Sequence, residues 1–294
     1  MSMLPAQCGG PTASVVASFA AANPWSVTVT GLSVGANTVA IYASNPSGDV
    51  GSNSVTIVQR RNDRMGADFD GDRLADPAYC NGTNWYEWLS SINYARTSED
   101  NYAMAGAFPI AADFDGDGLA DPGVYDNKTG NWYVWLSASS YWPVGPLAYG
   151  MVGSAPVPAD YDGDRLADFA VFSAGNWYAW LSTAGYMRFG PFGFGSADSI
   201  PTAGDFDGDQ KADPAVYWKG YWFAWLSSIN YLTIAATVTD DVNAYPVTAD
   251  FDGDGYCDLA TVSADGVWYA RLSTAGYQKL GPFTFDASGW RFLE

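Results

Sequence analysis

The nine residues DYDGDRLAD, 160–168, put four carboxylates into one short stretch, and nearly the same string stands at 68–76, 113–121, 205–213 and 250–258. The first aspartates of the five strings are spaced by 45, 47, 45 and 45 residues. A period of that size marks a stacked or radial array of small units, and it outranks any local reading. Within one string, two like charges about 4 Å apart repel by roughly 4 kcal/mol at an effective dielectric near 20. Four converging carboxylates therefore need a counter-charge.

Other features recur in step with the strings. Pro109, Pro156, Pro201 and Pro246 each stand four residues ahead of the first Asp, with Arg64 in that place in the first repeat. Downstream come NWYEWLS, NWYVWLS, NWYAWLS, YWFAWLS and VWYARLS, and five residues past each leucine stands Tyr94, Tyr141, Tyr186, Tyr231 or Tyr277. In the third repeat APVPAD reads as a short entering strand, the acidic string as a loop, and FAVFSA, NWYAWLS and GYMRFGPFGF as three further strands. Four short strands per 45 residues predict a propeller blade. In NWYAWLS the period-two alternation sends Trp177, Ala179 and Leu181 to one face and Tyr178 and Trp180 to the other. Both faces are apolar, as in a sheet packed between two others. Pro77, Pro122 and Pro214 follow the loop directly, where a strand's start tolerates a missing amide donor.

Numbered from its first residue, each string carries Asp at 1, 3, 5 and 9 and Gly at 4. On a tightly curled loop, positions 1, 3 and 5 turn three carboxylates inward, position 7 offers a backbone carbonyl and position 9 closes the site. Such a hard, all-oxygen shell suits Ca²⁺; magnesium keeps more water, and zinc prefers nitrogen or sulfur. The chain has no histidine to compete. The candidate ligands are Asp68, Asp70, Asp72, Leu74 and Asp76; Asp113, Asp115, Asp117, Leu119 and Asp121; Asp160, Asp162, Asp164, Leu166 and Asp168; Asp205, Asp207, Asp209, Lys211 and Asp213; and Asp250, Asp252, Asp254, Tyr256 and Asp258. About five ions, one per repeat, are expected. An EF-hand closes with Glu at position 12 between helices; here that position is Val171, inside a predicted strand.

DxDGDxxxD strings that lead into short apolar strands resemble the FG-GAP and VCBS repeats, the calcium-binding blades of integrin α-chain propellers and many bacterial surface proteins. The resemblance covers residues 65–286 and implies the same ligand set, with Leu74, Leu119, Leu166, Lys211 and Tyr256 acting through their carbonyls. The family usually has Gly at position 6; Gly118 and Gly255 conform, whereas Arg73, Arg165 and Gln210 do not.

The expected fold is therefore all-β: a five-bladed propeller over residues 63–294, after a short N-terminal segment at 1–62. That segment holds one charged residue before position 60, Asp49, and three alternating strings, WSVTVTGL at 25–32, NTVAIYAS at 37–44 and NSVTIVQ at 53–59. They predict three antiparallel strands and resemble the later half of a bacterial immunoglobulin-like domain. QRRNDR, 59–64, breaks the composition and sets the boundary. The tail GWRFLE is a candidate partner for the first entering strand, near RMGAD.

The formal net charge is −19, yet the five strings hold 20 of the 32 acidic residues, and the remainder nearly balances the 13 Lys and Arg. The acidity is local and repeated, which suits bound cations and disfavours nucleic acid and anionic membranes. No run of 18 apolar residues is present to span a bilayer. The first basic residue is Arg60 and no signal-peptide layout precedes it, so the chain is expected to be a monomeric piece of a longer secreted or cell-surface protein. Cys8, Cys80 and Cys257 allow at most one bridge, and a closed ring would bring Cys80 and Cys257 to neighbouring blades; buried free thiols are the simpler expectation.

Without histidine, an activated nucleophile or a phosphate-binding loop, the chain is expected not to be an enzyme. Glu87, Glu99, Asp198 and Asp240 are the acidic residues outside the strings that leave carboxylate hydrolysis formally open. The expected role is a calcium-stabilised extracellular adhesion or interaction module whose partner is a cell-surface protein or a glycan. The alternative is a lectin that stacks sugars on Trp88, Trp135, Trp180, Trp225 or the tyrosine series, although packing between blades competes for the same rings. A non-catalytic part of a polysaccharide-degrading enzyme is a third reading.

Overall fold

The computed structural model describes residues 2–9, 35–44, 50–59, 64–80, 84–97, 101–102, 104–263, 266–286 and 289–292. Among them are strands and three single-turn 3₁₀ segments, and no α-helix. The chain divides into two compact units, Met1–Arg61 and Asn62–Glu294.

In the first unit Ser2–Gly9, Gly35–Ser44 and Val50–Gln59 form one antiparallel sheet in chain order. The alternating strings at 37–44 and 53–59 pair as a hairpin, with Val39 opposite Val55 and Ile41 opposite Asn53. The third strand is Ser2–Gly9, in a stretch whose Pro and Gly content masks any alternation. WSVTVTGL lies outside the described residues.

The second unit is a five-bladed β-propeller. Each blade is a sheet of four strands in chain order, joined antiparallel. Blade 1 comprises Arg64–Ala67, Asp76–Cys80, Trp85–Leu89 and Ala95–Arg96. Blade 2 comprises Phe108–Ala112, Asp121–Asp126, Asn131–Leu136 and Trp142–Leu147. Blade 3 comprises Ala155–Pro156, Phe169–Ser173, Asn176–Leu181 and Met187–Gly193. Blade 4 comprises Ile200–Gly204, Asp213–Trp218, Tyr221–Leu226 and Leu232–Thr239. Blade 5 comprises Tyr245–Ala249, Asp258–Val262, Val267–Arg271 and Lys279–Asp286. The tail does not pair with Arg64–Ala67. Its described part, Gly289–Phe292, adds a fifth strand outside Lys279–Asp286, with Trp290 opposite Phe285; it extends the sheet it directly follows in the chain, whereas Arg64–Ala67 lies at the first-strand edge of its own sheet, paired with Asp76–Cys80.

Ring closure is carried by the backbone of the acidic loops. The N–H of position 8 donates to the carbonyl of position 1 in the preceding blade: Ala120 to Asp68, Ala167 to Asp113, Ala212 to Asp160 and Cys257 to Asp205, at 2.6–2.7 Å. The fifth bond runs from Ala75 of blade 1 to Asp250 of blade 5 at 2.7 Å and completes the circuit. A second circuit follows the glycines. At position 4 they have φ near +80°, a region that favours residues lacking a Cβ. A Cβ at Gly71 would stand 2.9 Å from Leu119 Cδ2, at Gly116 2.8 Å from Leu166, at Gly208 2.6 Å from Tyr256 and at Gly253 2.9 Å from Leu74. Position 7 of each blade thus packs on the turn of the blade before it.

The first tryptophan of each third strand is buried: Trp85, Trp132, Trp177, Trp222 and Trp268. A buried indole N–H needs an acceptor. Trp85, Trp132 and Trp177 donate to the carbonyls of Tyr102, Tyr149 and Phe194, 17 residues downstream. The side chains of those acceptors wedge the seams between blades. Tyr102 stacks on Tyr141 at 5.2 Å, Tyr149 on Tyr186 at 5.0 Å, and Phe194 on Trp225 at 4.7 Å.

Between blades 4 and 5 the seam is ionic. Trp222 donates to Asp240 Oδ2 at 3.3 Å, and Arg271, which stands where the other repeats have tryptophan, grips both Asp240 oxygens at 3.0 Å. Lys279 adds a third contact at 3.2 Å. Burial alone would raise the Asp240 pKa, but hydrogen bonds from Arg271 and Lys279 and the Arg271 charge hold it below the usual carboxylate value.

Candidate metal centres

Each acidic string is fixed at its far end by a sheet. Position 9 opens the second strand in blades 1, 2, 4 and 5, as Asp76, Asp121, Asp213 and Asp258. Asp168 forms a single bridge to Ala159 in blade 3. All five are fully buried. The loop curls because its carboxylates accept its own N–H groups, as Asp side chains do in turns. In blade 3 Asp160 Oδ1 accepts from Gly163 at 2.6 Å and its Oδ2 from Arg165 at 2.7 Å. Asp164 Oδ1 accepts from Leu166 at 2.9 Å, and Asp168 Oδ2 from Tyr161 at 2.9 Å. The other blades repeat this pattern, with the position-1 Oδ2 taking the position-6 N–H. Position 6 has positive φ in every blade, including Arg73, Arg165 and Gln210, so departure from glycine there leaves the curl intact.

A second segment closes over the loop. The serine after the third strand donates its N–H to position 9 and its hydroxyl to position 5: Ser182 to Asp168 Oδ1 at 2.7 Å and to Asp164 Oδ2 at 2.6 Å. Ser90, Ser137, Ser227 and Ser273 do the same. The next residue holds position 3 through a hydroxyl in four blades, from Ser91, Thr183, Ser228 and Thr274, and through its N–H alone in blade 2, from Ala138. Nothing in the acidic strings themselves points to these residues. Their signal was a Ser-Ser, Ser-Ala or Ser-Thr pair recurring after the leucine of every third strand. The following tyrosines, Tyr94, Tyr141, Tyr186, Tyr231 and Tyr277, adopt left-handed backbone and donate their N–H to that leucine's carbonyl.

The aspartates converge in groups of three, one group per blade. Ligand oxygens of Asp68, Asp70 and Asp76 lie within 4.8 Å of one another, as do those of Asp113, Asp115 and Asp121, of Asp160, Asp162 and Asp168, and of Asp205, Asp207 and Asp213. In blade 5 the group is Asp250, Asp252 and Asp254. Asp72, Asp117, Asp164 and Asp209 instead face the capping serine. Two position-3 oxygens, Asp162 Oδ1 and Asp252 Oδ1, are buried with no hydrogen-bond partner.

Burial pushes the carboxyls of Asp76, Asp168, Asp213 and Asp258 up to about 6; the N–H groups bonded to them pull the other way, and neighbouring aspartates push upward again. Asp113, Asp121, Asp160 and Asp205 are raised for the same leading cause. A cation among these oxygens would reverse that balance. The five groups could each hold a metal ion.

The candidate sugar platforms are placed unequally. Trp88 and Trp180 are buried, Trp135 lies 5.8 Å from Tyr102, and Trp225 is covered by Phe194. Tyr141 and Tyr231 are exposed. Cys80 and Cys257 are buried and not joined by a disulfide.

Fold and site together define a five-bladed β-propeller with one aspartate-rich group per blade. No protein-family model matches the chain, and no curated protein matches it significantly. Solved structures do match. An auxiliary nutrient binding protein from Bacteroides ovatus aligns at 9% identity and TM-score 0.46, over 83% of this chain and 71% of that one. The Dos1 propeller aligns at 13% identity and TM-score 0.38, over 86% and 68%. A chain of the Photorhabdus luminescens Tc holotoxin pore aligns at 15% identity and TM-score 0.40; the match spans 86% of this chain and only 14% of the toxin chain.

Proposed function

We propose that the five aspartate groups hold Ca²⁺ and that the propeller is a non-enzymatic extracellular binding module of the FG-GAP/VCBS kind, carried on a longer secreted or cell-surface protein beside an immunoglobulin-like segment. The observation that carries the metal reading is the pair of buried carboxylate oxygens without partners, Asp162 Oδ1 and Asp252 Oδ1, inside all-oxygen groups of three aspartates. Buried charged oxygens need a partner, and a hard divalent cation is the partner for carboxylates alone. The aspartates at positions 1, 3 and 9, with position 5 replacing 9 in blade 5, would hold the ion, and the position-7 carbonyl is the expected further donor. The ion would supply charge neutralisation and, in blades 1 to 4, pin the start of the loop to the second strand of the same blade.

Calcium fits an extracellular setting, where it is millimolar. At that level a site of about 10⁻⁴ M affinity adds roughly 1.4 kcal/mol to stability. The absence of histidine in the sequence and the commitment of most aspartates to the five loops support the non-enzymatic part of this reading, and the adhesion or interaction role rests on the resemblance to the propellers of surface proteins. Titration calorimetry with calcium chloride should show saturable uptake approaching five ions, and a chelator should lower the melting temperature. No heat and an unchanged melting temperature would end the metal reading. A glycan array probed with and without chelator then separates the partner classes: binding to defined sugars makes the module a lectin, and silence leaves a protein partner.

A further inference from the structure

The seam between blades 2 and 3 is filled by Phe169. Its ring lies 5.2 Å from Phe114, 5.3 Å from Trp132, 5.0 Å from Tyr149 and 5.7 Å from Tyr186, so residues of both blades close on it. Val134 supports the same cluster from blade 2. One repeat later, in the seam between blades 3 and 4, the corresponding residues are Pro214 and Ala179. A phenyl ring and two methyl groups are thereby missing. The wedge residue of this seam does not move in to compensate, because Phe194 stacks on Trp225 with planes only 12° apart. What remains is a cleft of about 410 Å³, walled by Trp177, Ala179 and Phe189 of blade 3 and by Pro214, Trp225 and Tyr231 of blade 4. That size lies in the range of small-molecule sites.

We infer that this cleft binds a planar, uncharged aromatic compound, which occupies the place that Phe169 fills one seam earlier. The neighbouring seam is the template: the same architecture closes there around a phenyl ring by edge-on and stacked contacts, the geometry aromatic rings prefer. The lining is carbon-rich, and the hydroxyl of Tyr161, one of the polar atoms near it, is already spent on the Val157 carbonyl at 2.9 Å. A sugar would leave most of its hydroxyls without partners there, at a cost per group that stacking does not recover. The cleft needs no metal, so the inference stands apart from the calcium reading.

The test uses N-phenyl-1-naphthylamine, a neutral fluorescent ring compound, titrated into the full chain in millimolar calcium. One saturable site is expected, with the probe's emission enhanced and the tryptophan emission quenched. Pro214→Phe and Ala179→Val restore the side chains of the blade 2–3 seam, and each should weaken binding at least tenfold while the melting temperature holds or rises. Should one variant misfold, the other decides. Absence of a saturable site, undiminished binding in the folded variants, or displacement of the probe by neutral monosaccharides would overturn the inference. A chelator that removes the calcium heat leaves the outcome of this titration unaffected in meaning, because the variants differ in the seam alone.

Discussion

Asp76, Asp168, Asp213 and Asp258 sit at the point where each loop enters its sheet, fully buried and with carboxyls raised to about 6. The consequence for stability has a definite sign. A carboxyl whose pKa is higher folded than unfolded favours the folded state below the unfolded value of 3.8, and that contribution is lost as pH rises through about 6. In chelator the melting temperature should therefore fall between pH 4 and pH 7. Saturating calcium should abolish or invert this slope, because the ion requires the deprotonated form. A chelated protein whose melting temperature rises steadily over that range would show that the carboxyls are not held in this environment. The serine hydroxyls bear on the same balance: each donates to the position-5 aspartate of its loop, which makes Ser90, Ser137, Ser182, Ser227 and Ser273 part of the site.

At the scale of the element, the loop turn and the seam each carry a prediction. Gly208 and Gly255 have similar φ, +80° and +86°, yet a Cβ at Gly208 would meet Tyr256 at 2.6 Å while one at Gly255 would meet nothing within 4 Å. Gly255→Ala should cost about 1 kcal/mol, the backbone penalty alone. Gly208→Ala should cost up to about 1 kcal/mol more, since the ring end of the exposed Tyr256 must move aside. Chemical denaturation of the pair measures the difference, and equal losses would mean that position 7 does not brace the preceding turn. At the ionic seam, Asp240→Asn removes the carboxylate that receives Arg271 and Lys279, and a loss of about 3 kcal/mol is expected. The blades and the aspartates were legible in the sequence because a two-residue alternation and a 45-residue period both survive in the letters. The serine pairs were visible but mute, since a serine after a strand reads as ordinary turn chemistry. Asp240 was noticed only as an unassigned acid: nothing local indicates that it meets Arg271, 31 residues away.

For the whole molecule, the circle itself was the part that composition could not disclose. Its closing bonds run between backbone groups, so no side chain announces them, and the tail that looked like a closing strand lies on the outer edge of blade 5 instead. Four of the five inter-blade bonds join blades that the chain also connects directly. The fifth, Ala75 N–H to the Asp250 carbonyl, joins blades at opposite ends of the repeat array. The propeller is in this respect a bracelet with one clasp, and thermal opening should begin there. Deuterium should replace the Ala75 amide proton sooner than those of Ala120, Ala167 and Ala212, whose detachment the covalent chain keeps brief, and a cross-link between blades 1 and 5 should slow it to the rate of the others.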